Sequence, residues 1–120
     1  MALVIPERAA FDHIGIVVEE THDGATWVEQ TRVWVTNPRL SPYNVEYLRF
    51  EPDSPVTGPL RWDPHVAYRV ADVEEALQGH EVLYGPFEVG GGFCKAAFVL
   101  HDGAVIEFMQ YANPDEEGWF

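Results

Sequence analysis

The chain has 120 residues, with 20 acidic against 7 basic side chains, a formal net charge of −13 and 47% apolar residues. That length suits one domain with a single core over residues 1–120, and no apolar run nears the ~18 residues that cross a bilayer. So acidic a surface repels nucleic acid and anionic membranes but tolerates a metal ion or a small-molecule substrate, while a lone cysteine, Cys94, fits a reducing, cytoplasmic setting.

The opening "MALVIPERAAF" is too short in its apolar part for a secretory signal. "FDHIGIVV" then reads as a strand, with Phe11, His13, Gly15 and Val17 on one face and Ile14, Ile16 and Val18 on the other. "EETHDGATWVEQT" is expected to form a short helix capped by Thr21 or Asp23 and carrying Ala25, Trp27 and Val28. "RVWVTNPRLSPY" starts as a strand and is interrupted by Pro38 and Pro42. "NVEYLRFE" alternates again and puts Glu46, Leu48 and Phe50 on one side. The proline-rich "EPDSPVTGPLRWDP" is a connector.

"HVAYRV" follows as a strand, and "DVEEALQG" as a helix with Asp72 as its cap, Glu75 in capping-box position and Gly79 at its close. "EVLYGPFEV" is a strand broken at Gly85 and Pro86, and "GGG" at 90–92 is a loop. "FCKAAFVL" and "AVIEFMQY" form a hairpin around the two-residue turn Asp102-Gly103. The order is strand–helix–strands, connector, strand–helix–three strands. Two degenerate copies emerge: module one at about 11–52 and module two at about 65–112, with a connector at 52–64 and an acidic tail at 113–120. The path from His13 to Glu46 is about nine residues shorter than that from His65 to Glu107, so module one is expected to have lost most of a strand or hairpin.

Each copy opens with a histidine on its first strand and carries a glutamate on its last. Gly15 and Ala67 follow the histidines two positions on, leaving room beside each imidazole. The opposite faces carry a core pattern, so the histidine side is expected to line a cavity. Two imidazoles and two carboxylates suit a divalent ion such as zinc, nickel, cobalt, manganese or iron(II). Such an ion polarises a carbonyl, and a nearby carboxylate moves a proton. A single histidine at a strand start is more often structural; four donors at corresponding places of two copies weigh the other way. Glu46 has a structural alternative, pairing with Arg49 or Arg69. Arg69 shares the His65 face, as an anchor for a substrate carboxylate or a partner for a glutamate. His22, His80 and His101 are expected at the surface.

The motifs "FDHIGIVV", "NVEYLRF", "PHVAYRVADVEEAL" and "DGAVIEFMQ" together resemble those of the vicinal oxygen chelate superfamily, which includes glyoxalases, methylmalonyl-CoA epimerase, extradiol dioxygenases and bleomycin-binding proteins. The resemblance covers about residues 11–112. It implies an α+β fold of paired βαβββ modules forming a cup-shaped mixed sheet, a metal held by His13, Glu46, His65 and Glu107, and a homodimer. The activity it favours is a metal-dependent lyase or isomerase working through an enediolate, with Glu107 or Glu46 as the base. An iron(II) dioxygenase using His13, His65 and Glu107, and a non-catalytic protein that sequesters a drug or metabolite, are the alternatives. The residues that a true glyoxalase I uses for glutathione cannot be placed in this sequence.

Overall fold

The computed structural model describes residues 10–113, so the opening segment and the acidic tail from residue 114 lie outside the described residues. Eight strands form one mixed sheet. In chain order they are β1 (Ala10–Val17), β2 (Thr26–Val28), β3 (Val33–Val35), β4 (Val45–Phe50), β5 (His65–Arg69), β6 (Glu81–Val89), β7 (Cys94–His101) and β8 (Ala104–Tyr111). Helix α1 (Pro59–Trp62) lies in the connector and helix α2 (Val73–Ala76) follows β5. The spatial order is β2-β3-β4-β1-β5-β8-β7-β6, curled into the half-barrel of a cup-shaped α+β fold.

The two modules repeat one plan. In each, the first strand runs parallel to the last, β1 beside β4 and β5 beside β8, and the modules meet where β1 pairs antiparallel with β5. Local chemistry explains the best-formed pieces. Asp102 and Gly103 both take positive φ, 48° and 82°, as the tight turn between right-twisted strands requires. Asp72 accepts from the backbone N–H groups of Glu74 and Glu75 and so starts α2.

Module one is compressed, but by loss of its helix rather than of a strand. Residues 19–25 form bends and turns, and Trp27 and Val28, expected on a helix, lie in β2. The stretch has few strong helix formers, too few residues to offset nucleation, and a glycine at φ 79° in its middle. Thr26, Trp27 and Val28 pair instead with Val35, Trp34 and Val33. All four strands survive, two of them cut to three residues.

This changes where the core lies. The concave side expected to be mainly a cavity has a substantial apolar core of its own, built from Val28, Val33, Val35, Leu48, Phe50 and Phe98. The connector contributes Val56 and Leu60 to that cluster, 4% and 3% exposed. It is held there as Ser54 Oγ donates to the Thr31 carbonyl at 2.5 Å. On the convex side of module two, α2 packs Val73 and Ala76 against Ala97, Val99 and Phe108. Among the described residues no helix covers β1 in the same way, and Ile14 and Ile16, with Val66 and Tyr68 of β5, stay only half-buried.

A third cluster joins Ala67, Ala96, Met109 and Tyr111 around Cys94, which is 1% exposed. Burial pushes the Cys94 thiol well above its usual range. Cys94 is therefore expected to resist disulfide reagents in the native protein and to react only at the rate of unfolding. A labelling time course with and without urea checks this.

Candidate metal centre

The register of the four central strands assembles the site. Glu46 on β4 lies beside Gly15 on β1, Gly15 faces His65 on β5, His13 faces Ala67, and Ala67 lies beside Glu107 on β8. The two small residues thus make room across the strand pair rather than within a strand. Gly15 receives the His65 ring, and Ala67, 0% exposed, sits opposite His13. A Cβ built on Gly15 would stand 2.1 Å from His65 Cε1 and 2.4 Å from its Nε2, so no larger residue fits this ring position.

All four candidate ligands are buried: His13 0%, His65 1%, Glu46 5% and Glu107 6% exposed. They converge. His13 Nε2 lies 3.5 Å from Glu46 Oε1 and 3.3 Å from Glu107 Oε1; His65 Nε2 lies 3.5 and 3.2 Å from the same two atoms. Donor atoms of His13, Glu46 and His65 all fall within 4.8 Å of one another. Two observations test whether the residues fit an ion. Donors bonded to a common ion at about 2.1 Å stand roughly 3.0–3.5 Å apart, the range of the four imidazole–carboxylate distances. Buried His65 Nε2, although 3.2 Å from Glu107 Oε1, makes no well-aligned hydrogen bond, which a buried polar atom avoids unless something else satisfies it. The group of His13, Glu46 and His65, with Glu107 beside both imidazoles, could hold a divalent cation.

The electrostatics agree. Burial alone would depress both histidines, but Glu46, Asp12 and Glu107 lift His13 well above the ordinary imidazole value, and Glu107 and Glu46 raise His65. Glu46 is held low, its burial outweighed by His13 and His65. The pocket of carboxylates demands positive charge, which protons supply in the absence of a metal.

A second group was not expected from the sequence. Asp12, next to His13, is 2% exposed although strand alternation would send it to the other face. The pairing of β1 with β5 slips between Phe11 and His13, and this bulge turns Asp12 inward. His13 Nδ1 donates to Asp12 Oδ2 at 2.6 Å. Behind it, Arg69 Nε donates to Asp12 Oδ1 at 2.8 Å, Arg39 Nη2 donates to the same oxygen, and the Tyr111 hydroxyl donates to it at 3.1 Å. Burial would raise Asp12, but His13, Arg69 and Arg39 hold its carboxyl far below the usual range. An ionised Asp12 only accepts, so His13 Nδ1 is the donor in this bond and the ring turns Nε2 toward Glu46 and Glu107.

Arg69, a candidate substrate anchor, lies with this group: its guanidinium sits 4.0 Å from the centre of the Tyr111 ring and does not line the cavity. Neither of the alternative partners of Glu46 reaches it, since Arg49 Nη1 bonds Glu51 at 2.8 Å. Tyr111 was legible by parity, four positions from Glu107 on the same face of β8; Arg39, in a proline-broken stretch, was not. Of the three outlying histidines, exposed His22 stacks on Tyr47, whereas His80 is half-buried against His101 and Phe108.

Above Glu46 and Glu107 lies a narrow cavity of about 50 Å³, walled by Val28, Val35, Leu48, Val56, Leu60 and Phe98 among others. Among the described residues, no helix is long and apolar enough to cross a membrane.

No family model matches this chain, and no curated protein does. Solved structures do. A hypothetical protein from Bacillus halodurans C-125 superposes with a TM-score of 0.66 at 21% identity, covering 92% of this chain and 100% of that one. Methylmalonyl-CoA epimerase from Mycobacterium tuberculosis superposes with a TM-score of 0.56 at 19% identity, covering 87% and 89%. The curled mixed sheet is thus the vicinal oxygen chelate fold.

Proposed function

We propose that this protein is a metal-dependent lyase or isomerase that acts on a small oxygenated substrate through an enediolate-type intermediate. The convergence of two imidazoles and two carboxylates at the floor of an apolar cavity carries the reading. An epimerase among the structural neighbours supports it. His13, Glu46, His65 and Glu107 would hold the ion, which when bound acts as a Lewis acid toward a substrate oxygen. The chain's own residues do the rest. Asp12 fixes the His13 ring, the apolar walls exclude water, and Glu107 or Glu46, both facing the cavity, takes the proton from the carbon next to a carbonyl and returns it. The second carboxylate favours this over a two-histidine, one-carboxylate dioxygenase site.

Reconstituted protein is expected to hold one divalent ion and, in D2O, to exchange the α-proton of α-hydroxyketones, followed by NMR. Glu107→Gln and Glu46→Gln should each slow exchange by at least about a hundredfold. A parent protein that binds no divalent ion, like its His65→Ala variant, would sink the reading.

We also propose that the chain forms a homodimer through the convex face of β1 and β5, where Phe11 is 49% exposed beside half-buried Ile14, Ile16 and Tyr68. Light scattering at micromolar concentration should give twice the 13.6 kDa of one chain; the mass of a monomer overturns this.

A further inference from the structure

The cup's walls and the distribution of cations determine what kind of molecule reaches the centre. Apart from Glu46 and Glu107 at its floor, Thr31 is the one polar residue lining the cavity among the described residues; the rest are aliphatic, aromatic or thioether side chains. No lysine or arginine among the described residues lines it. The described cations are engaged elsewhere. Arg39 and Arg69 bind Asp12, Arg32 pairs with Asp53 and Arg49 with Glu51, and Lys95 lies 3.9 Å from Glu74. Arg61 stacks on Phe50 and Trp62, with its guanidinium 4.9 and 4.4 Å from the two ring centres.

The floor adds no attraction for an anion either, because two carboxylates already match the charge of a divalent ion. A ligand carboxylate or phosphate would enter without a counter-charge and lose its hydration against hydrocarbon, which buried charges do not tolerate unpaired. The net charge of −13 repels it before it arrives. The free space of about 50 Å³ admits a few waters or a ligand of a handful of heavy atoms.

From this we infer that the substrate class of the proposed centre is small uncharged α-hydroxycarbonyl or α-dicarbonyl compounds with short apolar substituents, and that free carboxylates and phosphate esters are excluded. The inference rests on the metal-dependent reading above and specifies its ligand.

The test uses the intact protein loaded with Co²⁺, whose visible absorption reports changes around the ion without turnover. Ion uptake is read first, by metal content and the appearance of the bands, before any ligand is added. Acetoin and lactate are then titrated separately; both are small α-oxygenated molecules, one neutral and one anionic. Acetoin should perturb the spectrum at a concentration at least about a hundredfold below that of lactate. A Leu60→Lys variant, which puts a cation into the cavity wall, should narrow or reverse that ratio.

Lactate binding as tightly as acetoin overturns the inference while leaving the metal centre standing, and so does a spectrum unmoved by acetoin and diacetyl at any attainable concentration. Failure to take up cobalt or any other divalent ion removes the centre itself, and the inference with it. Should Leu60→Lys not fold, the ratio measured on the parent protein decides alone.

Discussion

Gly15→Ala is expected to lower divalent-ion affinity by at least about a hundredfold, a loss of the size that an ångström of misplacement produces at a tightly set site. The added methyl would meet three atoms of the His65 ring at 2.1, 2.4 and 2.6 Å. The ring has little freedom to withdraw, with Phe98 edge-on at a centroid distance of 5.2 Å on one side and His13 at 5.6 Å on the other. The fold should be weakened as well, by about 1–3 kcal/mol as for other overpacked sites. Calorimetric metal titration and urea unfolding read the two effects separately. Pairing the change with His65→Ala supplies the control. Removing the ring should make Gly15→Ala nearly neutral for stability, since the two groups then no longer collide. Additive losses in that cycle would mean that the ring is not what the methyl strikes.

The second large effect is expected at Asp12. Asp12→Asn leaves the guanidinium groups of Arg39 and Arg69 gathered around a neutral amide. Breaking a buried ion pair from one side costs about 3–5 kcal/mol; both arginines keep partial solvent contact, 18% and 24% of their side chains, so a loss near the lower figure is expected. Metal affinity should fall by about 10- to 100-fold, because the amide no longer holds the His13 ring through a charged bond.

The same variant carries a pH signature. The Asp12 carboxyl is depressed in the folded protein, so its contribution is complete above the ordinary carboxylate value of about 4 and is lost as pH falls below it toward the folded value. Parent and variant unfolding energies should therefore differ most at neutral pH and converge in acid. A difference that grows in acid would contradict the role given to Asp12.

Much of this architecture is written locally. The β7–β8 hairpin follows from Asp102-Gly103 between two alternating runs, and α2 from its Asp72 cap. The four buried donors were legible because the chain repeats itself: a histidine at the start of each first strand and a glutamate on each last one. The missing features are those that depend on contacts between distant segments. Asp12 was hidden because a bulge overrides strand alternation, and nothing in "FDHIG" announces one. Val56 and Leu60 lie in a stretch whose prolines mark it as a connector, and its docking into the cup depends on surfaces assembled from both modules. The helix expected around Trp27 lost to strand pairing with β3, a tertiary preference stronger than a weak local one.

The reciprocal seating of the two rings has a further consequence. Each half of the molecule supplies the hollow into which the other half's imidazole drops, so the halves are keyed to one another like the two sides of a lock. If β1 slid by one residue against β5, both keys would jam at once and every buried side chain on the slipping strand would turn to its opposite side. Alignment of the halves is therefore enforced by the same imidazoles that meet the two buried carboxylates, and a chain that mates its halves wrongly cannot bring the four together.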